Sequence, residues 1–341
     1  MAWHCTTLPS GTRVAAPREM RVTLVALVAV IGCSDPDPEA ALDDRETDVV
    51  AADVDVDVDV DAASADDADT DLRLAPAVTR LFYGTTVEQQ TLIYYRIRPA
   101  AANGKSAFLT FAVHGFEDAW AQDGRALYSI AHAAIEFYGD HPERLAGWTL
   151  YIVPSANPDG MRYGTNNLRE QAGAYGRCTA AGKDINRNTS AGTSREQRAL
   201  KGLFDQLDPT IAIDLHGWYN TYYGNARIGG YFQRSFNAAY TGKPARYCFV
   251  AASGVMDCGS TLGGSFHGTT SISRDLFAEW VQRERGKPAA LIEYPAPDFN
   301  NNGLYDTVFD SELGFRRIGK NTLAKLWSRT RVALDNLFAT F

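Results

Sequence analysis

His114-Gly115-Phe116-Glu117 sets an imidazole and a carboxylate three residues apart, and His216 supplies a second imidazole far along the chain. Two His and one Glu form the three-ligand donor set of a catalytic zinc, whose fourth position is left for water. Donor type, rather than spacing, favours zinc over another divalent metal. Such an ion lowers the pKa of water towards roughly 7, so a neighbouring carboxylate can take its proton at neutral pH. Any one of these residues alone is weak evidence, since a lone His at a strand end commonly serves the core or a cap.

The elements that must carry these side chains read as strands alternating with helices. Residues 108–113 (FLTFAV) form a β-rich run that stops at His114-Gly115, and a helix follows with Leu127, Ile130, Ala131, Ala134 and Ile135 on one face. A second strand over 148–153 (WTLYIV) is stopped by Pro154 and the turn Asn157-Pro158-Asp159-Gly160. Ser194 and Gln197 form a capping box ahead of a helix reaching about Leu207. A third strand, 210–215, ends at His216-Gly217; residues 273–285 read as helix, and a strand over 289–292 ends at Glu293. The tail, 322–341, carries Leu323, Leu326, Trp327, Leu334, Leu337 and Phe338 on one face. This order predicts an α/β fold with a mixed, largely parallel central sheet and helices on both faces. His114, Glu117, His216 and Glu293 then lie at or just past the C-terminal ends of strands, the edge where open α/β sheets build their sites.

Composition divides the chain into two materials. Its 341 residues are 45% apolar and 22% charged, which excludes a collagen, a coiled coil or a wholly disordered protein. The net charge of −8 is uneven: residues 35–71 hold sixteen Asp or Glu against Arg45, while residues 72–341 hold 29 Lys and Arg against 24 Asp and Glu. Residues 72–341 are long enough for one large α/β core. They contain no Lys/Arg-rich run and no finger or Walker spacing, so nucleic acid is not an expected partner.

After Arg21, the apolar run 22–31 is too short to cross a bilayer core of roughly 30 Å as a helix and suits a signal-peptide core. Small residues before Cys33 resemble the lipobox of bacterial lipoproteins; a plain secretory signal cut near Gly32 is the alternative. Residues 1–19 would be an upstream extension or follow a misassigned start. The expectation is an exported cell-envelope protein, lipid-anchored at Cys33 and touching the membrane only there. Residues 34–72 read as an acidic, disordered linker, because pairing the Val/Asp alternation of 54–61 as strands would stack like charges. Residues 73–341 are the expected catalytic domain. Of the remaining cysteines, Cys248 and Cys258 close a short loop and are the first disulfide candidates, with Cys178 an open alternative.

In order along the chain stand His114-x-x-Glu117, the Asn157-Pro158-Asp159-Gly160 turn, and Arg177 nine residues before Asn186. Asp184-Ile185-Asn186-Arg187-Asn188, Asp214-Leu215-His216 and Ile292-Glu293 follow. Jointly, over about residues 81–295, these resemble the zinc metallocarboxypeptidases of the carboxypeptidase A-like superfamily. The resemblance implies one zinc ion held by His114, Glu117 and His216. It also implies Asn186 and Arg187 gripping the substrate's terminal carboxylate, Arg177 polarising the scissile carbonyl, and Glu293 as general base and acid. The chemistry agrees: Glu293 can take a proton and return it to the leaving amine. Arg177 offers fixed donors to an oxyanion, and the planar fork of Arg187 matches a carboxylate as Lys could not. Asp184 and Asp214 read as groups that orient a ligand His or hold loops.

The chain departs from the pattern in one place. Family members often cover the substrate with a Tyr, yet residues 251–292 contain none, and His267 in the 263–270 loop is the candidate substrate contact. Trp218, Tyr219, Tyr222 and Tyr223 line either a subsite or the core. The expected activity is hydrolysis of the amide beside a free C-terminal carboxylate, with peptides and bacterial cell-wall stem peptides as substrates. A zinc-dependent deacylase of N-acyl amino acids and a non-catalytic peptide-binding lipoprotein are the alternatives.

Overall fold

The computed structural model describes residues 75–117, 122–164, 173, 175–239, 247–250, 256–260, 266–269, 275–295, 307–310 and 315–341. The expected signal segment, lipobox and acidic linker lie outside these residues.

In chain order the elements are β1 (Val78–Thr85), β2 (Thr91–Ile97), β3 (Ser106–Thr110), α1 (Gly124–Asp140), β4 (Thr149–Val153) and α2 (Pro158–Arg162). Then come α3 (Arg195–Leu207), β5 (Ile211–Gly217), β6 (Thr221–Gly224), α4 (Ala226–Ala239), β7 (Tyr247–Val250) and β8 (Met256–Ser260). The last are β9 (His267–Thr269), α5 (Phe277–Arg285), β10 (Ala289–Tyr294), β11 (Thr307–Asp310), β12 (Phe315–Ile318) and α6 (Lys320–Thr340). Among the described residues, eight strands form one sheet in the order β1-β2-β4-β3-β5-β10-β6-β9. The middle four, β4-β3-β5-β10, are parallel; β1 and β2 join antiparallel at one side, and β6 pairs antiparallel with β10 at the other.

The period-two alternation of those middle strands builds two cores. Leu109, Leu150, Ile152, Ile213, Leu215 and Ile292 face one way and pack with Leu127 and Ile130 of α1, Phe232 and Phe236 of α4, and Leu326, Leu334 and Leu337 of α6. Phe108, Val153, Ala212 and Leu291 face the other way, against Leu200 and Phe204 of α3 and Phe277, Trp280 and Val281 of α5. Burial on both faces explains why these strands read as short apolar runs, and the α/β layering matches the sequence expectation. The apolar face of the tail is buried as its spacing implies. No described helix is long and apolar enough to cross a membrane.

Three element ends differ from the sequence reading. Strand β3 stops at Thr110, because Ala112 adopts a left-handed conformation (φ 41°), so residues 111–117 run as a buried loop. Strand β5 continues through Gly217, which puts His216 inside the ladder. Helix α5 starts at Phe277 rather than residue 273, since Asp275 has φ 53° and Leu276 is extended. Cys178 is fully buried. Cys248 and Cys258 lie on the antiparallel pair β7 and β8, of which the backbone is described.

Phe108 is fully buried between α3 and α5, with edge-to-face contact to Phe204 at 5.5 Å between centroids. Phe108→Ala is expected to cost about 3–5 kcal/mol of stability, measured by urea unfolding. A loss under about 1 kcal/mol would mean that this second core does not carry the sheet.

Candidate metal centre

The loop after β3 is shaped by close backbone contacts. A Cβ on Gly115 would lie 2.0 Å from the carbonyl oxygen of Gly160, so this position admits hydrogen alone. The Gly115 amide donates to the carbonyl of Gly176 at 2.7 Å. Gly160 belongs to the short helix α2, which is capped by Asn157 (its side chain accepts from the Gly160 amide at 3.0 Å) and starts with Pro158. Asp159, fully buried, accepts from Thr86 Oγ1 at 2.8 Å and from the Glu88 amide at 3.2 Å. Each residue of the Asn-Pro-Asp-Gly turn thus has a task, and together they buttress the loop that carries His114 and Glu117.

His114, Glu117 and His216 are all buried, and one donor atom from each lies within 4.8 Å of the others. Nδ1 of His114 is 3.1 Å from Glu117 Oε2, and Nδ1 of His216 is 3.4 Å from the same oxygen. The opposite nitrogens are held from behind. Nε2 of His114 is 2.8 Å from Asp184 Oδ1, and Nε2 of His216 is 3.1 Å from Asp214 Oδ2. Asp214 in turn accepts from Thr110 Oγ1 at the end of β3. A carboxylate behind each Nε2 favours the tautomer whose Nδ1 lone pair faces the centre.

The donors suit a divalent cation. Three buried carboxylates, those of Glu117, Asp184 and Asp214, surround two imidazoles, and Oε1 of Glu117 is buried with no hydrogen-bond partner among the described residues. Burial pushes the Glu117 carboxyl up, but His216 and His114 outweigh it and bring the pKa down to about 2. Burial likewise opposes ionisation of Asp184, while His114 and Arg177 hold it well below the usual range. For His216, burial favours the neutral ring, yet Asp214 and Glu117 hold its pKa well above the ordinary value. Without a cation, the cluster therefore keeps a proton on His216.

Strand register and hydrogen bonds relate several of the other expected residues to this triad. Glu293 on β10 is the register partner of His216 on the adjacent parallel strand, so the two side chains leave the sheet on the same face. Arg177, buried, donates from Nε to Asp184 Oδ2 at 3.2 Å, which links it to His114 through one carboxylate. Arg187 is half-buried and donates to the Asn186 carbonyl at 2.6 Å. Asn186 lies between His216 and the entrance to α5. Its amide is buried, with Nδ2 3.2 Å from His216 Nε2 and Oδ1 accepting from the Phe277 amide at 2.9 Å. His267 opens β9 opposite Thr221, and only its backbone is described. Trp218 and Tyr222 belong to the core, with Tyr222 wedged against Gly229 and Gly268.

Two supports were not legible as functional. Gln197, read as a capping residue, donates from Nε2 to the carbonyls of Ile185 at 2.8 Å and Arg187 at 2.9 Å, fixing the Asn186-Arg187 segment. Asp123 accepts from the Glu117 amide and from the Trp218 indole. A cleft of about 350 Å³ lined by Glu88, Tyr95, Tyr128, Pro158, Met161 and Arg162 includes none of the triad, so it is not the metal site.

Comparison with known proteins finds similarity in sequence over part of the chain and in fold over most of it. Residues 70–207 match the family model of the zinc carboxypeptidases. The fold is carboxypeptidase A-like. The matched span contains His114, Glu117, Arg177, Asn186 and Arg187, while His216 and Glu293 lie beyond it and are joined to the rest by the sheet. Solved structures share the fold of the carboxypeptidase A-like domain. A metallo-carboxypeptidase from Burkholderia cenocepacia is 20% identical with a TM-score of 0.50, covering 78% of this chain and 66% of that one. One from Pseudomonas aeruginosa is 18% identical with a TM-score of 0.51 over 78% and 64%. Carboxypeptidase A from Helicoverpa armigera is 15% identical with a TM-score of 0.52 over 77% and 69%. Bacteriocin BCN5 of Clostridium perfringens is 32% identical over 188 residues, 47% of this chain and 20% of that protein. The match thus spans about a fifth of that relative's length.

Because the metal-free cluster holds a proton on His216, zinc uptake at pH 7 is expected to release a proton, and affinity should fall as pH is lowered. Calorimetric titration in two buffers of different ionisation enthalpy measures this. Heats that do not depend on the buffer would contradict it.

Proposed function

We propose that this chain is a zinc metallocarboxypeptidase that hydrolyses the amide beside a free C-terminal carboxylate, with cell-wall stem peptides as its substrates in the cell envelope. The observation that carries the reading is the buried His114–Glu117–His216 cluster, each imidazole braced by its own carboxylate and Glu293 in register beside it. The family match supports the peptidase chemistry. The cell-wall substrate and lipid anchor at Cys33 rest on the sequence pattern alone.

Zinc held by the three side chains supplies Lewis acidity that lowers the pKa of water at the site towards roughly 7. Glu293 takes the proton of the attacking water and passes it to the departing amine, so one carboxylate serves as base and then as acid. Arg177, its plane fixed through Nε on Asp184, donates to the oxygen that gains charge at the scissile carbonyl. Arg187 pairs with the terminal carboxylate through its planar fork. Asn186, whose Oδ1 accepts from the Phe277 amide at the entrance to α5, offers its Nδ2 donor beside Arg187. His267, at the start of β9, is the proposed contact over bound substrate.

Purified protein with zinc should release the C-terminal residue of a tripeptide and of a stem peptide, read by mass spectrometry, and a chelator should stop it. Release of only the acyl group from an N-acyl amino acid would favour a deacylase, and no turnover with zinc bound would favour a binding protein. Glu293→Gln should lower kcat by about 10²–10⁴ while zinc content stays at the wild-type level. Arg187→Lys should mainly raise KM, and an unchanged KM would remove it from the carboxylate site.

A further inference from the structure

We propose that Asp123 is a positioning residue that sets the distance between the two chain segments carrying the metal-binding side chains. The role rests on the reading that His114, Glu117 and His216 share a cation. Asp123 is fully buried at the entrance to α1, six residues after Glu117. One carboxylate oxygen accepts from the backbone amide of Glu117, and the other accepts from Trp218 Nε1 at 3.2 Å. Trp218 follows His216-Gly217 directly, so a single carboxylate clamps the β3–α1 segment to the end of β5.

The surroundings leave this clamp little freedom. The Gly124 amide donates back to the Gly115 carbonyl at 3.3 Å, and a Cβ on Gly124 would lie 2.2 Å from the His114 carbonyl oxygen. The indole of Trp218 is itself fixed edge-on to Tyr294 at 6.2 Å, the neighbour of Glu293. Asp123 therefore ties the first two ligands to the third, and through Trp218 to the strand of the general base. Asp123 acts through the Glu117 amide and the Trp218 indole. The Glu117 amide and the Trp218 indole are both donors, so each oxygen must accept. An Asn of the same size can satisfy one N–H and must turn its own N–H₂ against the other.

The test compares zinc affinity, by competition with a chromophoric chelator, and the visible spectrum of the cobalt-substituted protein. The variants are Asp123→Asn, Trp218→Phe and, as a control, Asp335→Asn. Asp335 is a distant carboxylate that accepts from Tyr138 at 3.0 Å. Asp123→Asn should weaken zinc about 10–100-fold, the range seen when outer partners of a metal site are removed, and should change the cobalt spectrum. Trp218→Phe keeps the ring and loses the donor, and should give a smaller change in the same direction. Asp335→Asn should lower the unfolding midpoint and leave both metal readouts untouched. If Asp123→Asn lowers only the unfolding midpoint, as the control does, the positioning role is overturned. If Asp123→Asn does not fold, Trp218→Phe decides, and wild-type affinity and spectrum in that variant overturn the proposal. A wild-type protein that binds no zinc overturns the metal reading itself, and this role with it.

Discussion

Two imidazoles can aim their Nδ1 atoms at one point only if something holds their Nε2 atoms, and the site depends on that constraint. Asp184 holds one ring and Asp214 the other, while Glu117 lies between the two Nδ1 atoms. Removing this much charge from water is costly unless every group is paired or hydrogen-bonded. The solution here is a network of paired groups that leaves Glu117 Oε1 open towards a cation. Asp184 also takes Arg177 Nε and the Asn186 amide, Asp214 takes Thr110, and Asn186 spans His216 and α5. A cation at the centre completes the charge balance that a retained proton otherwise supplies.

The fold delivers this network through ordinary sheet geometry. Parallel strands β3, β5 and β10 end on the same side, and two consecutive alternating positions of β5, Asp214 and His216, fall on one face with Glu293 beside them. Helices do the remaining positioning through their ends. The N-cap region of α3 fixes the Arg187 segment through Gln197, and the entrance to α5 fixes Asn186. The Asn-Pro-Asp-Gly helix presses a glycine carbonyl onto Gly115. Stability and function share these contacts, because the residues that terminate elements also orient the reactive ones.

Much of this was legible in the sequence because it rests on short-range rules. Short β-rich apolar runs at 108–113, 148–153, 210–215 and 289–292 mark the central strands, and residue type at their ends marks His114, Glu117, His216 and Glu293. The carboxylates Asp184 and Asp214 stand out through the motifs that contain them, Asp184-Ile185-Asn186-Arg187-Asn188 and Asp214-Leu215-His216. What stayed hidden depends on contacts between distant segments. Asp123 looks like any loop acid until Glu117 and Trp218 converge on it. Asn186 reads as a donor beside Arg187, and only the packing of α5 turns its amide towards His216. The early end of β3 follows from one left-handed residue, Ala112, for which an apolar run gives no signal. Antiparallel β6, inserted beside β10, is short and aromatic, and its sequence reads equally as a subsite wall.

Diffraction from zinc-loaded crystals at the zinc absorption edge tests the central claim most directly. The account predicts a single anomalous peak bonded to Nδ1 of His114 and Nδ1 of His216 at about 2.0–2.1 Å and to the Glu117 carboxylate at about 2.0–2.2 Å. Asp184 and Asp214 should remain on the Nε2 atoms. An ion bound elsewhere, or coordinated through Nε2 with the two aspartates turned away, would contradict it.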